Sequence, residues 1–285
     1  MEPRSRRVPG ADGLALHLLE WSAQGVPMLF LHGFGNEAHI WDDLIPALAP
    51  YYRCLALDMR GHGRSDWDPE RRYDHASMAR DVEAVLAHLA IPRCVLVGHS
   101  MGGRVAMRFA GRLPERLAGL IIVDAGPDLD VRGVMRIRED AAQAPDSFTS
   151  VEAYEMLLTR AYPMATGEAI RRMAAHALRR RDDARFVHRM DPSFRVARDD
   201  SREAAEQWAA DEAKALWDAL AKVACPTLVV RGAASDVLAP ETADRMVDEA
   251  LAHGTLEVIA QAGHSVMTDN PEGLRKAVER FALGA

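Results

Sequence analysis

The stretch Cys94-Val95-Leu96-Val97-Gly98-His99-Ser100-Met101-Gly102 decides the fold, because a short apolar run leads directly into Gly-x-Ser-x-Gly. The pattern predicts a buried strand, a sharp turn at Ser100 and a helix over Met101–Arg112. Side chains two residues before or after the serine would collide with neighbouring backbone, and glycine avoids that collision. The turn would hold the Ser100 hydroxyl clear of the sheet, beside the free N–H groups of a helix N-terminus. Ser100 is therefore predicted to be a nucleophile.

Strand and helix patterns alternate on both sides of this turn. An opening hairpin is predicted from Arg6–Val8 and Leu14–Trp21. Further strands are predicted over Pro27–Leu31, Arg53–Leu57, Cys94–Val97, Leu120–Val123, Thr227–Arg231 and Thr255–Ile259, with helices over Ile40–Leu48, Met78–Leu89, Met101–Arg112, Lys214–Lys222, Glu241–Leu251 and Pro271–Leu283. This alternation predicts an α/β fold with a mostly parallel sheet and helices on both faces.

The alternation stops between residues 127 and 210, where the pattern is helical and rich in Ala, Arg, Met and Glu. We expect this segment to be an inserted helical cap on a core domain formed by residues 1–126 and 211–285. Its apolar side chains could line a pocket or pack the cap helices together, and helical spacing favours packing for most of them. The side chains in question are Met135, Phe148, Tyr154, Met156, Leu157, Met164 and Trp208.

A nucleophilic serine requires a base to take its proton and a third group to orient that base. Asp236 follows the strand Thr227–Arg231, and His264 follows the strand Thr255–Ile259. The carboxyl ends of parallel strands meet at one edge, so these residues can converge on Ser100. The order Ser, Asp, His favours Asp236 as the acid. Asp124, which ends the strand Leu120–Val123, is the alternative acid.

Each of these residues also has a structural interpretation. A serine between glycines can be a simple turn residue, Asp236 could cap the following helix, and Gly263-His264 could be a surface turn. Their joint order and placement favour catalysis.

An oxyanion formed during acyl transfer needs preorganised donors. His32-Gly33-Phe34-Gly35 follows the strand Pro27–Leu31 and would supply the backbone N–H of Phe34. The second donor would be the N–H of Met101, directly after the nucleophile.

Five segments in this order resemble the α/β-hydrolase superfamily over essentially the whole chain. They are Leu31–Gly35, Asp58–Ser65, Gly98–Gly103, Arg231–Asp236 and Ala262–His264. The resemblance implies an eight-stranded, mostly parallel sheet, a triad of Ser100, Asp236 and His264 at its carboxyl edge, and a helical cap over the pocket. It also implies that Arg60, His62 and Ser65 brace the loop after the fourth strand.

Differences between this chain and particular branches of the superfamily restrict the range of activities that we expect. Ser100 at the elbow argues against dehalogenases and epoxide hydrolases, which resemble this chain but carry aspartate there. Carbon–carbon hydrolases typically carry Asn where His99 stands, and menaquinone-pathway lyases similarly carry an arginine at the position of Arg104. His99 and Arg104 are therefore candidate substrate contacts; Arg104 could equally be a structural ion-pair partner.

The resulting expectation is an enzyme that cleaves carboxylic esters, or lactones or thioesters, through an acyl-enzyme. The alternatives are a carbon–carbon hydrolase or lyase using the same triad, and a ligand-binding protein on the same fold.

Composition excludes several other classes. The chain has 285 residues, a net charge of −7 and a pI of about 5.9, and it contains no basic stripe for nucleic acid. No apolar run reaches the length of a membrane span. We expect a cytoplasmic protein with three buried, reduced cysteines, a small, largely apolar substrate, and neither cofactor nor metal site, because no ligand or nucleotide-binding motif occurs. A homo-oligomer is compatible with the sequence.

Overall fold

A computed structural model describes residues 2–196 and 201–284, apart from the side chain of Arg202. Its central feature is a sheet of eight strands. The bounds of these eight strands are β1 Arg4–Pro9, β2 Ala15–Glu20, β3 Val26–Leu31, β4 Tyr52–Leu57, β5 Cys94–His99, β6 Leu117–Val123, β9 Thr227–Gly232 and β10 Gly254–Ile259. Two further strands, β7 Leu178–Arg180 and β8 Phe186–His188, form a separate antiparallel ribbon. The sheet order is β1-β2-β4-β3-β5-β6-β9-β10.

The pairs β1–β2 and β2–β4 are antiparallel, and every other pair in the large sheet is parallel. The prediction of a mostly parallel eight-stranded sheet is confirmed. The helices are α1 Ile45–Leu48, α2 His75–His88, α3 Met101–Arg112, α4 Val131–Gln143, α5 Val151–Ala161, α6 Gly167–Ala177, α7 Arg202–Leu220, α8 Pro240–Arg245, α9 Val266–Asp269 and α10 Pro271–Leu283.

Two apolar cores enclose the sheet, one on each face. The first contains side chains of α2, α3, α7 and α8, and the second contains those of α1 and α10. β5 lies between them and is buried along its whole length, as a strand covered on both faces requires. The turn after β5 therefore follows a strand that is buried on both faces.

The segment between β6 and β9 contains α4, α5 and α6, the β7–β8 ribbon and a short 3-10 helix over Pro192–Arg195. Sequence reasoning missed the ribbon, whose strands are too short to show a period. The expected cap boundary at residue 210 falls inside α7. That helix begins at Arg202 instead of Lys214, because Ser201 caps it by accepting the N–H of Ala204 at 3.2 Å.

Burial along α7 changes near the expected boundary although the helix continues. Residues 203–211 are exposed, whereas Leu216 and Leu220 enter the core against α3. Ala219 approaches Gly111 of α3 so closely that a Cβ at Gly111 would lie 2.6 Å from the Cβ of Ala219. The second half of α7 therefore belongs with the core.

The three cysteines are buried and unpaired, and burial raises the pKa of Cys54 and Cys94 to about 12. No helix in residues 2–196 or 201–284 combines the length and apolarity that crossing a bilayer demands.

Arg60 braces the loop between β4 and α2, as expected. Its guanidinium is fully buried and donates to both carboxylate oxygens of Asp81, at 2.6 and 2.8 Å, and to Asp68 at 3.1 Å. Ser65 donates its hydroxyl to the carbonyl of Asp58 and accepts the N–H of His17. These contacts fix β4 relative to β2.

We expect Arg60→Ala to destabilise the fold strongly, because Asp81 would remain buried without its cation, whereas Asp68 would keep its pair with Arg72. Removing one member of a buried pair costs about 3–5 kcal/mol, which corresponds to a melting temperature lower by about 6 °C or more. Arg80→Ala is the matched control, since the Arg80 side chain is 40% exposed and bonds Asp12 and Ser77 at 3.2 Å. Equal melting temperatures for the two variants would contradict this role of Arg60.

Candidate active site

Ser100 sits on a strained turn between β5 and α3. Its backbone angles, φ 52° and ψ −116°, are unusual for a non-glycine residue. A Cβ at Gly98 would lie 2.3 Å from the carbonyl oxygen of Gly102, and one at Gly102 would lie 2.4 Å from that of Leu31. The turn therefore has no room for a side chain at position 98 or 102, as the sequence predicted.

His264 follows β10 and contacts Ser100 directly. Its Nε2 lies 2.9 Å from Ser100 Oγ, and its Nδ1 lies 2.7 Å from Oδ2 of Asp124. A carboxylate can only accept, so Nδ1 carries the proton and Nε2 presents a lone pair to the Ser100 hydroxyl. This tautomer is the one a general base requires.

Two further contacts hold the backbone of this histidine. The N–H of Gly263 donates to Asp269 Oδ2 at 2.9 Å, and Nε2 of His99 donates to the His264 carbonyl at 3.0 Å. Burial raises the pKa of Asp269. Both contacts are to the main chain, and the ring of His264 is held by its hydrogen bonds to Asp124 and Ser100 and by packing against the ring of His99.

Asp124 follows β6 and is completely buried. Its carboxylate accepts three hydrogen bonds: from Nδ1 of His264, from the Gly232 N–H at 2.9 Å and from the Ser235 hydroxyl at 2.5 Å. Its own N–H donates to Val230 at 2.7 Å. A buried charge is tolerated only when it is hydrogen-bonded in this way.

Asp236, which we predicted as the acid, does not contact His264. Its side chain is 37% exposed, and both of its oxygens accept from Arg136 of α4, at 2.7 and 3.0 Å. The Arg136 guanidinium lowers the pKa of this carboxyl. The prediction of Asp236 was wrong because the loop after β9 directs Ser235 toward Asp124 and Asp236 toward the cap.

The predicted oxyanion donors, Phe34 and Met101, flank the Ser100 turn. Within the part of the chain that the structure describes, neither backbone N–H meets an acceptor. His32 holds the peptide between Gly33 and Phe34, because its Nδ1–H donates to the Gly33 carbonyl at 2.8 Å. Its Nε2 accepts the N–H of Met59 at 3.0 Å. Burial lowers the pKa of His32, which keeps the ring neutral for both bonds.

His99 and Arg104 both donate to backbone carbonyls, and His99 also lines the cavity over Ser100. His99 is buried, and burial lowers its pKa well below the ordinary value. A Cβ at Gly33 would lie 2.6 Å from its Nδ1, so this histidine requires glycine at position 33. Arg104 is buried and donates to the carbonyls of Gly126 and Pro127 at 2.9 and 3.0 Å. It braces the chain after Asp124 and does not reach the cavity.

A cavity of about 1010 Å³ opens over Ser100 and His264, between the sheet edge and the cap. Its lining is mainly apolar. Five of the cap side chains considered above contribute to it, namely Phe148, Tyr154, Met156, Leu157 and Met164. Met135 and Trp208 are exposed elsewhere. Phe148 and Tyr154 are also buried in the second apolar core, and Leu157 packs against it, so these side chains both pack and line the cavity.

The site can now be compared with known proteins. Residues 26–271 match the model of the alpha/beta hydrolase fold family. The chain belongs to the alpha/beta hydrolase family.

Three relatives illustrate the range of this family. An esterase of Mycobacterium tuberculosis (strain ATCC 25618 / H37Rv) is 28% identical over 93% of this chain and 85% of its own length. A 3-hydroxybutyrate-oligomer hydrolase of Cupriavidus necator is 30% identical over 95% of this chain and 94% of its own. The crystal structure of E-2-(acetamidomethylene)succinate hydrolase superposes with a TM-score of 0.84 at 26% identity, covering 99% of this chain and 100% of that one. These names support a hydrolase.

Ser235 and His32 are site residues to which sequence reasoning gave no role of this kind. Ser235 directly precedes Asp236, the predicted acid. A single serine in a loop has no sequence pattern that indicates a role in a site. In this alpha/beta hydrolase it donates to Asp124 and also accepts the N–H groups of Val237 and Leu238, at 3.2 and 3.1 Å. One hydroxyl thus ties the acid to the loop after β9.

We expect Gly98→Ala to destabilise this alpha/beta hydrolase, because the new methyl group would strike the carbonyl of Gly102. Overpacking of this kind costs about 3 kcal/mol, or a melting temperature lower by about 6 °C. Gly119→Ala in β6 is the control, since a Cβ there meets its nearest neighbour at 3.6 Å. Differential scanning calorimetry that shows the same loss for both variants would contradict the explanation given for Gly98.

Proposed function

We propose that this hydrolase cleaves carboxylic esters through an acyl-enzyme, with Ser100 as nucleophile, His264 as base and Asp124 as the orienting acid. Lactones and thioesters fall within the same chemistry. The observation that carries the proposal is the chain of two hydrogen bonds, 2.9 Å from Ser100 to His264 and 2.7 Å from His264 to Asp124.

In the acylation step, Ser100 Oγ attacks the ester carbonyl while its proton passes to Nε2 of His264. The imidazolium that forms is stabilised by the buried carboxylate of Asp124. The carbonyl oxygen becomes an oxyanion, which the N–H groups of Phe34 and Met101 would receive. Nε2 then protonates the leaving alkoxide, and the acyl group remains on Ser100.

Deacylation repeats these steps with water. His264 Nε2 removes a proton from the water, the hydroxide attacks the acyl carbonyl, and Ser100 leaves with the proton returned by Nε2. The products are a carboxylic acid and free enzyme. Every group in this cycle belongs to the chain itself.

The cavity supports an apolar acyl or alkyl group. Its volume of about 1010 Å³ lies at the upper end for small-molecule pockets. Met156, Leu157 and Met164 offer flexible apolar contacts that adapt to chains of different length. We therefore infer a small-to-medium, largely apolar ester as the substrate class.

Hydrolysis of p-nitrophenyl esters from acetate to decanoate tests this activity. We expect kcat/KM to rise with chain length, because each buried methylene contributes about 0.8 kcal/mol, close to fourfold. In Ser100→Ala, kcat should fall by at least about 10⁴-fold. Activity that survives in Ser100→Ala would contradict the nucleophile, and no turnover at any length would favour the carbon–carbon hydrolase, lyase or binding-protein alternatives.

Asp124→Asn and Asp236→Asn distinguish the two candidate acids. Asparagine at 124 would donate to Nδ1 and impose the wrong tautomer on His264, so kcat should fall by about 10⁴-fold. Asp236→Asn removes a partly exposed ion pair of about 0–1 kcal/mol, so kcat should change by less than about fivefold. A larger loss of kcat in Asp236→Asn than in Asp124→Asn would instead identify Asp236 as the acid.

A further inference from the structure

A second cluster of chemically active side chains lies outside the cavity. Glu37 and His39 belong to the loop and short helix after β3, and His176 belongs to the last turn of cap helix α6. One ligand-capable atom of each residue lies within 4.8 Å of the other two. None of the three lines the cavity over Ser100.

We propose that Glu37, His39 and His176 bind a divalent transition-metal ion that ties the cap to the core. Two imidazole nitrogens and one carboxylate oxygen form a donor set suited to zinc and similar ions, whereas calcium and magnesium favour oxygen alone. This site is independent of the proposed ester hydrolysis.

The arrangement around His39 supplies the support that a metal-binding histidine needs. Its Nδ1 lies 3.0 Å from Oδ2 of Asp42, so Nδ1 donates and Nε2 remains as the ligand atom. Metal-bound histidines usually donate their second N–H to a carboxylate in this way, which fixes the ring. The N–H of His39 also donates to Glu37 Oε2 at 2.9 Å, which holds that carboxylate in place.

Glu37 is a buried carboxylate without a cation. It is 7% exposed, and no lysine or arginine side chain of residues 2–196 or 201–284 pairs with it. A divalent ion would give this side chain the direct cationic partner that it does not have among these residues.

His176 approaches the cluster from the cap side, and its ring lies directly against that of His39. The two imidazole rings are stacked, with centroids 3.6 Å apart. Because the lone pair of each ring lies in the ring plane, the two planes must tilt out of this stack before both histidines can bind one ion.

Charged groups of both signs surround the cluster, and they include Arg64 near His176 and Arg189 near Glu37. The arginine closest along α6, Arg172, is already neutralised by Asp43 through two hydrogen bonds, at 2.8 and 2.5 Å. Asp42 and Asp58 add negative charge on the core side. Ligation would therefore add a second link beside the Arg172–Asp43 pair, between α6 and the loop after β3.

The test is titration of the full-length protein with Co²⁺, followed by visible absorption, and with Zn²⁺, followed by calorimetry and thermal melting. We expect one ion per chain, a Zn²⁺-dependent increase of several degrees in melting temperature, and Co²⁺ bands typical of a site with nitrogen ligands. His176→Ala and the isosteric Glu37→Gln should each weaken binding at least tenfold. Melting without metal checks that both variants fold.

Two controls separate this site from other histidines. His88→Ala removes an exposed histidine elsewhere, and His264→Ala removes the histidine of the candidate active site. Both should bind Co²⁺ and Zn²⁺ like the wild type. The proposal is wrong if the wild type binds neither ion at micromolar concentration, if His264→Ala abolishes binding, or if either His176→Ala or Glu37→Gln leaves it unchanged.

Discussion

Backbone hydrogen bonds between neighbouring parallel strands place every group of the site. The residue after β5, Ser100, donates its N–H to the last residue of β6 at 3.0 Å, and the residue after β6, Asp124, donates to β9 at 2.7 Å. Ala233, after β9, donates to the last residue of β10 at 2.9 Å. Each strand end is thereby locked to the next, and the side chains that follow are held above one edge.

The buried charge of Asp124 depends on this arrangement. A carboxylate with no exposed surface and no cation is stable only when donors surround it, and the N–H of Gly232 and the hydroxyl of Ser235 supply two of them. The third is His264, so the same contact that stabilises the carboxylate also sets the histidine tautomer. Neighbouring residues of the loop after β9 make different contacts. Ser235 donates to Asp124 in the core, whereas Asp236 turns outward and pairs with Arg136 of the cap. The loop therefore links the buried carboxylate to the cap.

The sequence predicted those features that local physics determines. The Ser100 turn, its glycines and the bounds of α3 and α10 follow from sterics and helix-ending residues, and all match the structure. The sequence favoured Asp236 over Asp124, and this choice was wrong because β6 and β9 are neighbours whose ends reach the same edge. The start of α7 was missed since an exposed helical half shows no apolar period. The cluster of Glu37, His39 and His176 joins distant segments, and only the docking of α6 brings them together.

The central claim is that Asp124 fixes the proton of His264 on Nδ1. Two-dimensional ¹H–¹⁵N spectra of protein labelled at histidine report the tautomer of each ring directly, and His264→Ala would assign the signal. We expect the Nδ1–H form of His264 in the wild type and in Asp236→Asn, and its loss in Asp124→Asn. An Nδ1–H form that persists in Asp124→Asn and disappears in Asp236→Asn would contradict the account.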